Sequence, residues 1–240
     1  MLLSRCYKCV YCVAPFEIIS VIVIDPRRTF ELFNMSETIL TLQTPSEHEY
    51  AIVAQFSESS IEHLASIQEQ LSALLGDSIW LTPRQALHST LMEIICDRQY
   101  EGLSREQHFL NWFEQYDQPT GEVFADIAPF DITFNQLEVS SRAIIVRTVD
   151  SQPLNDIRAK LLSQVELPVG TKLPPDITHC SLARFNKVLD VEEVKGLVGT
   201  IAVDFTEHIS DFKLLSDLGP PRFDPQTIQT YKLHSDSNTV

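Results

Sequence analysis

His88-Ser89-Thr90-Leu91 and His179-Cys180-Ser181-Leu182 are one phrase written twice, His-x-[Ser/Thr]-Leu, 91 positions apart (88 to 179). Each sits at the end of a β-like run, and in a strand residues i and i+2 point to the same face. Each segment then sets an imidazole beside a hydroxyl, with the leucine turned to the opposite face. Two such pairs around one cleft bring together two proton-transfer groups and two hydroxyl donors. That set suits acid–base chemistry on a phosphate.

The other histidines serve as controls. Of the seven, His48, His63, His108 and His234 lack Ser or Thr at +2, and His208 has Ser210 at +2 but Asp211 at +3. From average residue usage, two chance matches among seven are an event on the order of one in a hundred.

Outward from the motifs, the chain shows two units of one pattern. The first opens with the strand-like run Tyr50-Ala51-Ile52-Val53-Ala54-Gln55-Phe56. A helix follows, with Ser59 and Glu62 at capping-box spacing, Ile61, Leu64, Leu71 and Leu75 on one face, and Gly76 as a stop. The second opens with Ala143-Ile144-Ile145-Val146-Arg147-Thr148-Val149. Its helix begins after Pro153 and repeats Leu154, Ile157, Leu161 and Val165 at helical spacing. From opening residue to histidine is 38 positions in one unit (50 to 88) and 36 in the other (143 to 179).

A second helix follows each motif. One, over 105–116, is capped by Ser104 and Gln107 and carries Phe109, Trp112, Phe113 and Tyr116 as a stripe that reads as core packing. The other, over 191–198, is entered through Asp190 and Glu193. Strands over 130–139, 203–215 and 228–233 complete the pattern. Ser140-Ser141-Arg142 reads as a tight connection, Pro174-Pro175 as a rigid lead-in to the second motif, and Pro220-Pro221 as an exposed loop. The expectation is an α+β fold of duplicated β-α-β units. It has two lobes, over about 48–140 and 141–233, with antiparallel or mixed sheets around a central cleft.

Residues 1–47 read as an N-terminal extension, with disorder as one reading of it and Met35 as an alternative start. Cys6-x-x-Cys9-x-x-Cys12 resembles half a metal motif, but a tetrahedral site needs four ligands and no second pair stands at matching spacing, so no metal is expected. An odd cysteine count points to a reduced, intracellular and cytoplasmic setting. The most apolar stretch, Ile18-Ile19-Ser20-Val21-Ile22-Val23-Ile24, falls short of the ~20 residues that span a bilayer. The net charge of −15 opposes extended binding to DNA or RNA while leaving room for a small phosphorylated ligand held by local groups.

On these residues the chain resembles the two-histidine phosphoesterase superfamily, in the branch of the RNA 2′,3′-cyclic phosphodiesterases and 2′-5′ RNA ligase-like proteins. Thr82-Pro83 with Leu87-His88-Ser89-Thr90-Leu91 is similar to the family's first motif strand, and Ile177-Thr178-His179-Cys180-Ser181-Leu182-Ala183-Arg184 to its second. Ile209-Ser210-Asp211-Phe212-Lys213-Leu214-Leu215-Ser216 resembles a strand that follows that second motif. The resemblance covers roughly residues 49–233. It implies a cofactor-free, metal-independent hydrolysis of a 2′,3′-cyclic phosphate, on a nucleotide or an RNA 3′ end, to a 2′-phosphate. His88 and His179 would be the acid–base pair, and Thr90 and Ser181 the substrate-binding hydroxyls. A nucleotide-binding module with vestigial turnover and a 2′-5′ oligonucleotide phosphodiesterase or ligase-like enzyme are the alternatives. A monomer is expected. Where some relatives carry an aromatic, this chain has Arg184. On a regular strand Arg184 faces away from Ser181, which favours a surface or ion-pair role unless a bulge intervenes. Glu93 and Asp97 are expected at solvated positions.

Overall fold

Tyr50, Ile52 and Ala54 alternate with Ala51 and Val53 along a strand buried on both faces. Such a pattern needs neighbours on both edges, and the computed structural model supplies them. It describes residues 48–96, 104–168, 171, 177–219 and 223–234. The extension 1–47 with Cys6, Cys9, Cys12 and Met35 lies outside the described residues, as do Asp97, Pro174-Pro175 and Pro220-Pro221.

The strands in chain order are β1 (Glu49–Gln55), β2 (Ile79–Leu81), β3 (His88–Ile95), β4 (Phe130–Phe134), β5 (Gln136–Val139), β6 (Ala143–Arg147), β7 (His179–Phe185), β8 (Phe205–Ile209), β9 (Asp211–Asp217) and β10 (Gln226–Lys232). The helices are α1 (Glu58–Leu75), α2 (Arg105–Ala125), α3 (Gln152–Gln164) and α4 (Val191–Val198). One sheet runs β10-β9-β1-β3, a second β2-β7-β6-β5, and β4 pairs with β8. All the described pairings are antiparallel. The fold is α+β, with no mixed sheet among the described residues.

The duplication survives in the strand order. Each sheet sets a motif strand beside its unit's opening strand and then beside a strand that follows a second helix: β3-β1-β9 in one, β7-β6-β5 in the other. The sheets do not divide at 140/141 as the lobe boundary expected. β5 and β6 form a hairpin whose turn is Ser140-Ser141-Arg142, with Ser140 Oγ accepting from the Ala143 N–H at 3.0 Å. Meanwhile β9 and β10 from the end of the chain join β1, and β2 from the first unit joins β7. Each sheet is thus built from both halves of the sequence: β9 closes the free edge of β1, and β2 and β5 close the free edges of β7 and β6.

Four local expectations shift for tertiary reasons. Helix α1 starts at Glu58, capped by Ser57 rather than Ser59. Buried Glu207 on β8 accepts both the Ser57 hydroxyl (2.9 Å) and its backbone N–H (3.1 Å), which selects that residue. Helix α2 runs nine residues past 116, through Pro119, to Ala125. Its last turns bury Thr120, Val123 and Phe124, and Phe124 stacks on Phe212 (4.9 Å) and Tyr231 (5.2 Å). That packing outweighs the ~3 kcal/mol that an interior proline costs. The expected strands over 130–139 and 203–215 each break, at Asn135 and Ser210, into two strands that serve different sheets. The aromatic stripe is core, as expected: Phe109 stacks on Tyr50 at 3.8 Å, and Trp112 Nε1 donates to the Glu166 carbonyl at 3.0 Å.

Candidate active site

Both motif histidines are the first residues of their strands. After Pro83, a 3₁₀ turn at Arg84–Ala86 and buried Leu87 deliver His88 to the start of β3. At the other motif, the Thr178 N–H donates to Ser151 Oγ (2.9 Å) and the Thr148 N–H to the Thr178 carbonyl (3.2 Å), which fixes where β7 begins. From there the alternation runs as read from sequence. His88 and Thr90 are half-buried while Ser89 and Leu91 are buried, and His179 and Ser181 are half-buried while Cys180 and Leu182 are buried.

All four predicted residues, His88, Thr90, His179 and Ser181, line one cavity of ≈ 280 Å³. Its walls come from β1, β3, β7 and β9, so it lies between the two four-stranded sheets. Buried Cys180 joins the two motifs directly, since the backbone N–H of His88 points at its sulfur. Burial nevertheless pushes that thiol up to about 12, so Cys180 packs rather than attacks.

Beyond the hydroxyls, both motif strands are irregular at the same place. In β3, Met92 pairs with Ile52 and Thr90 with Val53, which leaves Leu91 as an extra residue. In β7, Ala183 pairs with Ile144 and Ser181 with Ile145, which leaves Leu182. A bulge shifts the alternation by one residue. Glu93 and Arg184 therefore turn into the cavity with the histidines and hydroxyls. Arg184, expected on the surface or in an ion pair, lines the cavity with the carboxylates of Glu49 and Glu93 acting on it, and Glu93 lines the same cavity, half-buried. His88-Thr90-Glu93 and His179-Ser181-Arg184 are matched triplets, alike in imidazole and hydroxyl but opposite in charge at the third member.

Burial, and then the neighbouring His179, push His88 down to about 4, partly opposed by the Ala86 backbone carbonyl. Burial pulls Arg184 down while the carboxylates of Glu49 and Glu93 hold it up. It stays a cation, and its Nε has no hydrogen-bond partner among the described residues. Burial also raises Asp217, against backbone N–H groups of the 218–224 segment that favour its charged form. Leu218 and Asp224 each donate to its Oδ1 at 2.7 Å. That segment brings Phe223 to the cavity rim, stacked on Trp80 at 5.5 Å. Gly219 sits at φ +68, a backbone conformation that favours glycine, and a Cβ there would meet Glu49 Oε2 at 3.1 Å. Glu49, Asp217 and Phe223 carry no motif in the sequence; tertiary pairing alone brings them here. Among the described residues, no three His, Cys, Asp or Glu side chains group so as to hold a metal ion, and no helix is long and apolar enough to cross a membrane.

The low His88 value makes a stability prediction. The folded imidazole titrates near 4 and the unfolded one near the ordinary 6.5, so between those values the unfolded chain binds the extra proton. Stability is then full above about pH 6.5 and falls as the pH drops, by about 3 kcal/mol at pH 4 from this group. Denaturant unfolding of His88→Gln should show a shallower acid limb than the unsubstituted protein. Parallel limbs would mean that His88 is not held neutral by the fold.

No family model matches the chain, and no curated protein matches it by sequence. Solved structures do match. Against TT0787 of Thermus thermophilus the TM-score is 0.53 at 16% identity, covering 78% of this chain and 99% of that one. Against Escherichia coli LigT in its apo form it is 0.55 at 13% identity, covering 78% and 98%. Against E. coli LigT complexed with 3′-AMP it is 0.51 at 15% identity, covering 79% and 100%. At such identities the likeness is one of fold, and it spans nearly the whole of each matched protein. By its strand order and these matches, the chain has the fold of LigT and TT0787.

Proposed function

We propose that this protein is a phosphodiesterase that opens a 2′,3′-cyclic phosphate, on a nucleotide or at an RNA 3′ end, to a 2′-phosphate. One observation carries the reading: two imidazole–hydroxyl pairs, 88/90 and 179/181, line a single cavity that also holds the Arg184 cation. Water adds to phosphorus as the bond from phosphorus to O3′ breaks. His88, which burial keeps unprotonated at neutral pH, takes the proton from water, and His179 delivers one to the departing O3′. Thr90 and Ser181 donate to the non-bridging oxygens, where charge builds, with Arg184 as the cation facing that charge. The two histidines supply both proton transfers, so the chemistry calls on no metal.

Several features support a small substrate. The cavity sits at the low end of the ~300–1,000 Å³ typical of ligand sites, room for a nucleotide end rather than a duplex. The chain's charge of −15 disfavours long polyanions. LigT, with the same fold, has been crystallised with phosphate, ATP, NADP+ and 3′-AMP. Both triplets belong to one chain, which supports a monomer.

The test is an activity panel on the full chain. It compares 2′,3′-cyclic mononucleotides, ADP-ribose cyclic phosphate, RNA ending in a cyclic phosphate, and 2′-5′ oligoadenylate, with the product phosphate located by NMR. A 2′-phosphate from the cyclic mononucleotides is the expected result. Cleavage of 2′-5′ oligoadenylate alone would replace the reading by the 2′-5′ phosphodiesterase, and tight binding without turnover would replace it by a nucleotide-binding module. Thr90→Ala and Ser181→Ala should each slow turnover roughly ten- to a hundredfold, as for loss of one donor to a developing oxyanion.

A further inference from the structure

Both motif bulges are held by a buried polar side chain from the other unit's first helix. Arg158 on α3 donates from Nε to the Leu91 carbonyl (2.9 Å) and from Nη2 to the Thr90 carbonyl (3.0 Å). Gln68 on α1 donates from Nε2 to the Leu182 carbonyl (2.8 Å) and to the Thr82 carbonyl (2.7 Å). Arg158 is 4% and Gln68 5% exposed, so water cannot replace either as a donor. Consecutive carbonyls of a regular strand point to opposite sides. One guanidinium reaches both Thr90 and Leu91 only because the bulge turns them the same way. At the second motif β2 ends at Leu81; the Leu182 carbonyl accepts both the Thr82 N–H (2.9 Å) and one hydrogen of the Gln68 amide, whose other hydrogen goes to the Thr82 carbonyl.

We propose that Arg158 and Gln68 are the positioning residues of the two motif strands: each holds its bulge open and thereby sets which side chains beyond the leucine enter the cavity. At β3 the bulge turns two buried carbonyls onto one guanidinium, and leaving them without it is costly enough for the strand to slip back into register. At β7 the Leu182 carbonyl keeps the Thr82 N–H, and loss of Gln68 takes away its second donor and the amide on the Thr82 carbonyl. A one-residue slip carries every following side chain to the opposite face. For β3 that removes Glu93 from the cavity and re-angles Thr90 and His88. For β7 it removes Arg184. The bracing is reciprocal, since the helix of each unit serves the other unit's motif, and it ties the two halves of the cavity into one geometry. It rests on the reading of the two motifs as a catalytic pair.

The experiment uses the full chain with Arg158→Met, Arg158→Lys, Gln68→Met and the Gln68→Met/Arg184→Met pair. Folding is checked by near-ultraviolet circular dichroism and melting. His88 is titrated by NMR, and kcat and KM are read on adenosine 2′,3′-cyclic phosphate. Arg158→Met should lower kcat about ten- to a hundredfold with KM within about threefold, the size of effect that ångström-scale misplacement produces. It should also move the His88 midpoint up from about 4 as the strand loosens around the ring. Arg158→Lys, with a point donor for a fork, should fall between. Gln68→Met should cost little on top of Arg184→Met, because both remove the same guanidinium. A purely structural role would lower the melting temperature alone. Folded variants with kcat within twofold and an unmoved His88 midpoint would overturn the proposal. If Arg158→Met does not fold, Arg158→Lys and Gln68→Met decide. The titration needs no substrate, so it still judges the bracing if the protein turns over no phosphodiester and the functional reading fails.

Discussion

His88→Ala and His179→Ala should each lower turnover of a nucleoside 2′,3′-cyclic phosphate by about two to four orders of magnitude, the usual span for removing a general acid or base. The two imidazoles meet in one cavity, and His179 is close enough for its charge to help depress His88. They act as a pair, so the double variant should lose far less than the product of the single losses. The pH profile carries the role assignment. With His88 as the base, kcat/KM should bend down near pH 4 and fall with unit slope below it, and His88→Ala should abolish that limb. A chelator should leave the rate unchanged. Near-normal rates in either single variant would remove that histidine from the mechanism, and a rate restored only by added metal would replace the mechanism itself.

Arg184→Met should slow the same reaction by roughly 10²- to 10³-fold, comparable to the loss of a preorganised charge-stabilising donor. Arg184 is the one Lys or Arg among the described cavity residues, in company with Glu49, Glu93 and Asp217. Its Nε is buried and has no hydrogen-bond partner among the described residues. Arg184→Lys should recover only part of the rate, because an ammonium cannot offer two parallel N–H groups to a phosphate. Glu93→Gln should act in the opposite sense and lower KM a few-fold by removing a like charge facing the phosphate. Steady-state kinetics across a salt series checks both. A folded Arg184→Met within threefold of the normal rate would move the guanidinium off the phosphate, and a raised KM in Glu93→Gln would give that carboxylate a substrate group to hold.

Features set by neighbours in sequence were legible. The capping box of Ser104 and Gln107 closes within a four-residue segment, and the structure has it with both bonds, 3.1 and 3.2 Å. Gly76 ends α1 at φ 50, Asp190 caps α4, and the imidazole–hydroxyl alternation follows from strand geometry alone. Features set by distant neighbours were not legible. Ser57 rather than Ser59 caps α1 because Glu207, far along the chain, meets it. Pro119 stays inside α2 because Phe124 has a slot between Phe212 and Tyr231. The strands over 130–139 and 203–215 break where their two ends join different sheets.

The site divides along the same line. His88, Thr90, His179 and Ser181 could be named from sequence because a repeated pattern and a period of two place them on one face of each strand. The same period turns Arg184 away from Ser181 on a regular strand, and the bulge at Leu182 brings it to the cavity instead. Whether a strand bulges after its leucine depends on which carbonyls find donors, and those donors, Arg158 and Gln68, lie on helices of the opposite unit. Sequence by itself determined the α+β class and the two histidine–hydroxyl pairs, since each is written in local spacing. Tertiary structure alone decided that the halves interleave, that the bulges turn a cation and a carboxylate inward, and that Asp217 and Phe223 close the rim. Those outcomes rest on hydrogen bonds between residues far apart in the chain, which no local pattern encodes.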